Sequence, residues 1–246
     1  MDRMLFVAMT AARQTELALA SHTNNLANVS TTGFRADFQA YRSMPVFGEG
    51  HDSRVYAMTE RPATDFATGV VQSTGRDLDI AVNGEGWIAV QAADGSEAYT
   101  RAGDLRVNNL GLLETGTGLP VLGNAGPIAI PPAEKIEIGV DGTISVQPLG
   151  ESVTTLAVVD RIRLVNPPKE QLFKGEDGLI RAEQGVEVVP DGQLTVNTGS
   201  LESSNVNAVD ALVNMISTSR QFEMQVKMMS TAQNIDEASS KLLRLG

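Results

Sequence analysis

Cysteine is absent from all 246 residues, which removes disulfides, thiol catalysis and Cys-ligated zinc together. Histidine is nearly absent, with only His22 and His51, too few to build a metal cluster on their own. Aromatic residues make up 4% of the chain, with one Trp, three Tyr and seven Phe. That scarcity leaves no base-stacking platform, and a formal charge of -11 leaves no cationic face for phosphate, so no nucleic-acid partner is expected. No apolar run approaches the roughly 18 residues that a membrane span needs, so no direct membrane span is expected. Residues 1–20 hold an apolar stretch ending in Ala18-Leu19-Ala20, but Thr10, Arg13, Gln14 and Glu16 interrupt it. No cleaved signal peptide is therefore expected.

What is present has ordinary globular proportions, with 42% apolar and 20% charged residues. A core must be built from Val, Ile, Leu, Ala and Met. Glycine and proline divide the chain: residues 46–199 hold 21 of 23 Gly and nine of ten Pro. Both ends are free to be helical, while the middle is punctuated like a β domain. Charge divides in the same way, with nets of +1 for residues 1–45, -11 for 46–199 and -1 for 200–246. The acidic middle suits solvent, and the near-neutral ends suit packing against protein. The expected organisation is an N-terminal helix and linker at 1–45, a β-rich domain at 46–199 and a C-terminal helix at 200–246.

Leu5, Met9, Ala12, Leu19, Leu26 and Val29 recur at near-helical spacing with no Pro between them. They predict an amphipathic helix of roughly 28 residues, ending near Val29–Gly33, where Gly33 is suited to positive φ. At the other end Leu212, Met215, Phe222, Val226, Met229 and Leu243 fall on a seven-residue repeat, with Ser219, Gln233, Asp236 and Ser240 on the same seam. A half-polar, Met-rich seam suits several non-identical contacts better than one locked dimer. Ser203-Ser204-Asn205-Val206-Asn207 offers side-chain oxygens to cap a helix starting around Ala208.

Between the ends the period is two, as in Ile136-Glu137-Ile138 and Thr143-Ile144-Ser145-Val146. Asp94-Gly95, Asp141-Gly142, Asp177-Gly178 and Asp191-Gly192 stand between apolar runs, and Asp-Gly favours type I′ hairpin turns. The expected fold is α+β: an antiparallel β domain from which both terminal helices leave on the same side and pack side by side, like a coiled coil.

Candidate chemistry is thin. Gly84-Glu85-Gly86-Trp87-Ile88-Ala89 fits a dinucleotide fingerprint, but that site needs a helix next, and Trp87–Gln91 reads as a second strand, so a hairpin corner and no cofactor are expected. His51-Asp52-Ser53 spells a hydrolase triad, yet adjacent residues in extended chain point in alternate directions. His22, among Ala, Thr and Asn, reads as a surface or packing residue. Asp77 and Asp79 share one face of a strand, with Arg76 and Arg101 at hand, and read as a structural ion pair rather than a calcium or acid–base site. Asn28-Val29-Ser30 is a glycosylation sequon inside a packing helix and carries no inference. A secreted carbohydrate-binding or hydrolytic β protein would need an aromatic platform or a carboxylate pair in a cleft, and neither is evident.

Asn24-Asn25-Leu26-Ala27-Asn28-Val29-Ser30-Thr31-Thr32-Gly33-Phe34 resembles the Asn-Asn-Leu-Ala-Asn-x-x-Thr-x-Gly-Phe signature of the flagellar rod, hook and hook-associated proteins. Amides at a helix end can satisfy its orphan backbone groups, and a turn at Gly33 can fold Phe34 back onto apolar surface. Ala98–Gly103, Gly126–Pro131 and Asp141–Ser145 look like the family's β domain, and Leu201–Asn207, with Asn205, Val206 and Asn207, like its C-terminal signature. The likeness covers nearly the whole chain. Met1–Leu5, Ser43-Met44-Pro45-Val46 and Gly86–Glu97 are most similar to the proximal rod members. Distal rod members stay open as the alternative, although Trp87-Ile88 and Ala102-Gly103-Asp104 depart from their usual residues. The middle has no room for the extra outer domain of hook subunits.

The resemblance implies a structural axial component of the bacterial flagellar basal body, with no enzymatic activity, cofactor, metal or small-molecule substrate. Its implied partners are copies of itself, related rod proteins and the flagellar type III export apparatus. The implied location is the periplasm-spanning rod, reached without signal cleavage. The named residues carry three expectations: terminal helices poorly ordered in the isolated subunit, a charge at Phe222 blocking assembly, and Asn tolerated better than Val at Gly33.

Overall fold

The computed structural model describes residues 2–39, 41–45, 55–59, 63–148, 150 and 156–244. The chain is α+β, with two long helices and an otherwise antiparallel set of short strands. It divides into two compact units, one of residues 1–28, 37–65 and 206–246, the other of residues 29–36 and 66–205. Composition divides the chain near residues 45 and 199; by packing, residues 37–65 go with the helices and 29–36 with the β-rich unit.

In the helical unit, α1 spans Asp2–Ala27 and α2 spans Ala208–Arg244. They pack against each other, and α1 also meets the strands Asp37–Phe38 and Val55–Thr59. Strand Asp37–Phe38 pairs with Ala63–Thr64, and Tyr41–Pro45 with Val55–Thr59. No described helix is long and apolar enough to cross a membrane.

The β-rich unit is organised around a five-stranded antiparallel sheet in the order Leu164–Val165, Trp87–Gln91, Glu97–Thr100, Ile180–Ala182 and Leu172–Lys174. Strand alternation divides its core in two. Ile88 and Val90 point into a large cluster with Ile80, Leu105, Leu113, Val121, Ile128, Ile144, Val146, Ile162 and Val196. Trp87 and Ala89, on the opposite face, join Tyr99, Val165, Leu172 and Ile180. Each fully buried Ile, Leu or Val contributes about 1.5–3 kcal/mol, which makes the first cluster the main source of this unit's stability. A three-stranded sheet of Ala133–Ile138, Thr143–Pro148 and Ala157–Arg161 and several two-stranded ribbons complete the unit.

The Asp-Gly turns differ from the expected type. Type I′ needs positive φ at both central residues, but among the described residues positive φ falls on glycine alone, as at Gly95, Gly142 and Gly178. Each aspartate instead keeps a φ that is not positive and accepts a backbone N–H two residues on, from Ser96, Thr143 and Leu179 at 2.9, 3.1 and 3.2 Å. The carboxylate replaces the second left-handed residue as the feature that closes the loop. The Ser96 and Thr143 hydroxyls add bonds that hold Asp94 and Asp141 below the usual carboxylate range. At Asp191-Gly192 the glycine is not left-handed, and Asp191 accepts from Gln193 at 2.9 Å.

Candidate functional site

The Asn-rich run begins on the last turn of α1. Asn28 Nδ2 donates to the Asn24 carbonyl at 3.0 Å and to Asn24 Oδ1 at 2.7 Å, so one amide holds both the end of the helix and its neighbour's side chain. Asn25 has a different task from the expected one of capping the helix. It is buried, and its Oδ1 accepts from Asp37 N while its Nδ2 donates to Asp37 O, both at 2.8 Å. The side chain thus imitates a neighbouring strand, satisfying both backbone groups of one residue. Leu26 is half-buried and Ala27 exposed.

Within the β-rich unit the same motif turns the chain. Phe34 N donates to Thr31 O at 3.3 Å, and Gly33 has φ 67°. Gly33 N also donates to the Glu202 carbonyl at 2.8 Å. The Phe34 ring carries the Lys174 ammonium at 3.9 Å from its centroid, so a cation rests where apolar surface alone was expected. Positive φ is not the only demand at Gly33. A Cβ there would overlap the carbonyl carbon of Arg101 and stand 2.5 Å from Ala102 N. Any side chain at Gly33, asparagine included, therefore meets the Arg101 backbone whatever its φ preference.

The C-terminal signature divides its labour too. Asn207 caps α2, its Oδ1 accepting from Val209 N at 3.0 Å and Asp210 N at 3.4 Å. Asn205 serves the β-rich unit, accepting from Ala36 N at 2.8 Å and donating to Ala67 O at 3.1 Å. Val206, between them, is half-buried.

Between these signatures lies a buried charge cluster that local sequence pattern did not reveal. Glu202 accepts from Arg35 Nη2 through Oε1 at 2.7 Å and from Arg101 Nη1 through Oε2 at 2.9 Å. Arg35, Arg101 and Glu202 are 2%, 3% and 1% exposed. Gly69 N adds a third bond to the carboxylate at 2.7 Å. Arg101 also donates to Val82 O at 3.1 Å and Gly84 O at 2.6 Å. Both guanidinium groups lie 5.5 Å from the centroid of the Trp87 ring, which Phe66 meets edge-on at 5.7 Å. Burial pulls the Arg101 pKa down, Glu202 pushes it up and neighbouring Arg35 pulls it down again.

On the helices, the faces turned inward share only part of the predicted seams. On α2 the less exposed positions are Ala211, Met215, Thr218, Ser219, Phe222, Gln225, Met229, Ala232 and Ser239. Met215, Phe222 and Met229 stand among them, but Leu212 and Val226 are exposed, along with Val213, Ile216, Met224, Met228 and Ile235. On α1, Ala8, Ala12, Thr15, Ala18 and Asn25 are buried, while Leu5 and Met9 are exposed and Leu19 and Leu26 half-buried. The fully buried positions are small residues, which let the helix backbones approach closely, while Met215, Phe222 and Met229 are half-buried and many other large apolar side chains stay outside. The side chain of Leu243 lies outside the described residues.

The remaining candidates resolve simply. Gly84–Gly86 leads into strand Trp87–Gln91 without a helix, and it links strands of two different sheets rather than a hairpin pair. Asp79 pairs with Arg76 at 3.4 Å and accepts from Thr74 Oγ1 at 2.7 Å, while Arg101 goes to Glu202 instead. His22 is half-buried, and its burial lowers its pKa. Residues 51–53 and Val46 lie outside the described residues. Among the described residues no group of His, Asp or Glu could hold a metal ion.

Two helices with exposed apolar faces are joined in sequence to a β-rich unit whose polar cluster is consumed by its own packing, the plan of a structural protein. Residues 5–35 match the family described as flagella basal body rod protein, residues 81–146 the flagellar hook protein FlgE/F/G D1 domain, and residues 197–242 the flagellar basal body rod FlgEFG protein C-terminal family. The chain is 42% identical over 251 residues to the flagellar basal-body rod protein FlgF of Escherichia coli K12, covering 100% of both. It is 31% identical to FlgF of Caulobacter vibrioides, covering 99% of this chain and 98% of that protein, and 31% identical to the rod protein FlgG of Bacillus subtilis, covering 100% and 99%. The chain belongs to the flagellar basal-body rod protein family, a FlgF-like structural component of the rod and not an enzyme.

Proposed function

We propose that this chain is a subunit of the proximal rod, polymerising with itself and with related rod proteins to transmit torque. The observation that carries the reading is the division of faces on α2: Ala211, Met215, Phe222, Met229 and Ala232 turn inward, and Leu212, Val213, Ile216, Met224, Val226, Met228 and Ile235 stay exposed. So much apolar surface along one helix fits burial between subunits. In this reading α1 and α2 form a coiled-coil-like pair whose outer faces meet neighbouring subunits. Asn24, Asn25, Asn28, Gly33, Asn205 and Asn207 fix the chain directions that make those contacts repeat. Export through the type III apparatus, without signal cleavage, delivers the subunit to the periplasmic side of the inner membrane.

The 42% identity to a FlgF over the full chain supports a proximal position. The 31% identity to a FlgG keeps the distal rod as the second reading. Imaging of basal bodies from a strain lacking the native gene and carrying a tagged copy tests both. The tag is expected in the rod segment next to the inner membrane, with motility restored; a distal position favours the second reading, and a position outside the rod overturns both.

A further inference from the structure

The carboxylate of Glu202 gathers donors from three separate stretches: Arg35, which lies beyond the end of α1, Gly69, and Arg101 at the end of strand Glu97–Thr100. Glu202 itself stands on the segment that leads into α2. We propose that Glu202 is a positioning residue that couples the segment leaving α1 to the segment entering α2, so that neither seats in the β-rich unit without the other.

Electrostatics supplies the reason. Two guanidinium groups share one tryptophan ring in a region closed to water, and one carboxylate bridges them, leaving the cluster with a net positive charge. Among the described residues Arg35 Nε, Arg35 Nη1 and Arg101 Nε have no hydrogen-bond partner, so the ring face and the single carboxylate are what offset their burial. Without Glu202 two like charges would face each other at low dielectric, and the element free to leave is the short segment carrying Arg35. The backbone agrees, because the same two segments also meet through Gly33 N to Glu202 O at 2.8 Å, Asn205 N to Phe34 O at 3.3 Å and Ala36 N to Asn205 Oδ1 at 2.8 Å. Arg35 and Glu202 are 167 positions apart, so the cluster closes only when the end of the β-rich unit has arrived.

Hydrogen exchange on the full-length protein tests the coupling. In Glu202→Gln the Ala36 amide, which bonds Asn205 and not Glu202, should exchange about tenfold faster or more, together with Gly69. Leu113 N, bonded to Ile128 O in the large core, should keep its wild-type rate. Adding Arg35→Met returns the cluster to its wild-type net charge, so that Arg101 no longer faces a second cation, and the double variant should restore much of the Ala36 protection. Trp87, the one tryptophan, should regain its shielding from acrylamide at the same time. Acceleration confined to Gly69, or a double variant no better protected than Glu202→Gln, overturns the proposal. If Glu202→Gln does not fold, folding of the double variant decides instead: recovery supports the charge coupling, and failure overturns it.

Discussion

Gly33 packs directly on the backbone of Arg101, with no space between them for a β-carbon. Its φ of 67° adds a second constraint, since a residue other than glycine is strained there by about 1–2 kcal/mol. Overlap with backbone cannot be relieved by a rotamer change, and overpacking of this kind costs about 1–3 kcal/mol more. Gly33→Ala, Gly33→Asn and Gly33→Val should therefore all destabilise the β-rich unit, by a few kcal/mol in chemical denaturation. Asparagine's ease in the left-handed region gives it little advantage. A Gly33→Asn protein with wild-type stability would show that Arg101 moves aside.

Asn25 makes a separate prediction, because it uses both ends of its amide on one residue. Asn25→Asp keeps the acceptor for Asp37 N but sets a carboxylate oxygen against Asp37 O, replacing a hydrogen bond with repulsion. A buried acceptor left facing an acceptor costs about 1–3 kcal/mol. Asn25→Asp should lower the melting temperature of the full-length protein, and by more at neutral pH than at a pH low enough to protonate the new carboxyl. Equal loss at both pH values would assign the effect to shape alone.

The limits of α1 and α2 were legible because punctuation is local: Gly33 turns the chain beyond α1 and Asn207 caps α2, each within a few residues of the helix it bounds. Trp87–Gln91 likewise read as a strand, and its two faces enter two separate cores. Arg35 and Glu202 were not legible, because no periodicity links charges 167 residues apart. Arg101 is far nearer in sequence to Asp77 and Asp79 than to Glu202, yet folding brings Glu202 to it. The helix faces were legible only in part. The seven-residue repeat finds Met215, Ser219, Phe222 and Met229 on the inward side, but apolar size does not predict that Ala211 and Ala232 are buried while Leu212 and Val226 are exposed.

That seam bears on the isolated subunit. Alanine at Ala8, Ala12, Ala18, Ala211 and Ala232 contributes about 0.8 kcal/mol per methyl-sized group buried. Ordering the 26 residues of α1 and 37 of α2 opposes this by about 1–2 kcal/mol each. Helix hydrogen bonds offset much of that cost, but little remains to hold the pair without a neighbour. Exchange in α1 and α2 of a verified monomer should be fast compared with Ile88 and Leu113. Helix protection equal to that of the core strands would refute this.

The two faces of α2 can be separated by substitution. Val226 is exposed, so Val226→Asp should leave the monomer's melting temperature and helix content within about 0.5 kcal/mol of wild type. If its face meets other subunits, the same charge would be buried unpaired in the assembled rod, where it costs several kcal/mol, and incorporation should fail. Ala232 is buried, and Ala232→Leu should show the reverse order of effects: the added side chain pushes the α1–α2 seam apart, lowering monomer helicity before any assembly step. Phe222 is half-buried on the inward side, so Phe222→Asp should impair both. Monomer circular dichroism and basal-body incorporation, measured for all three, distinguish the faces. If Val226→Asp enters basal bodies at the wild-type level, its side of α2 faces solvent in the rod and the exposed apolar row is not the contact between subunits.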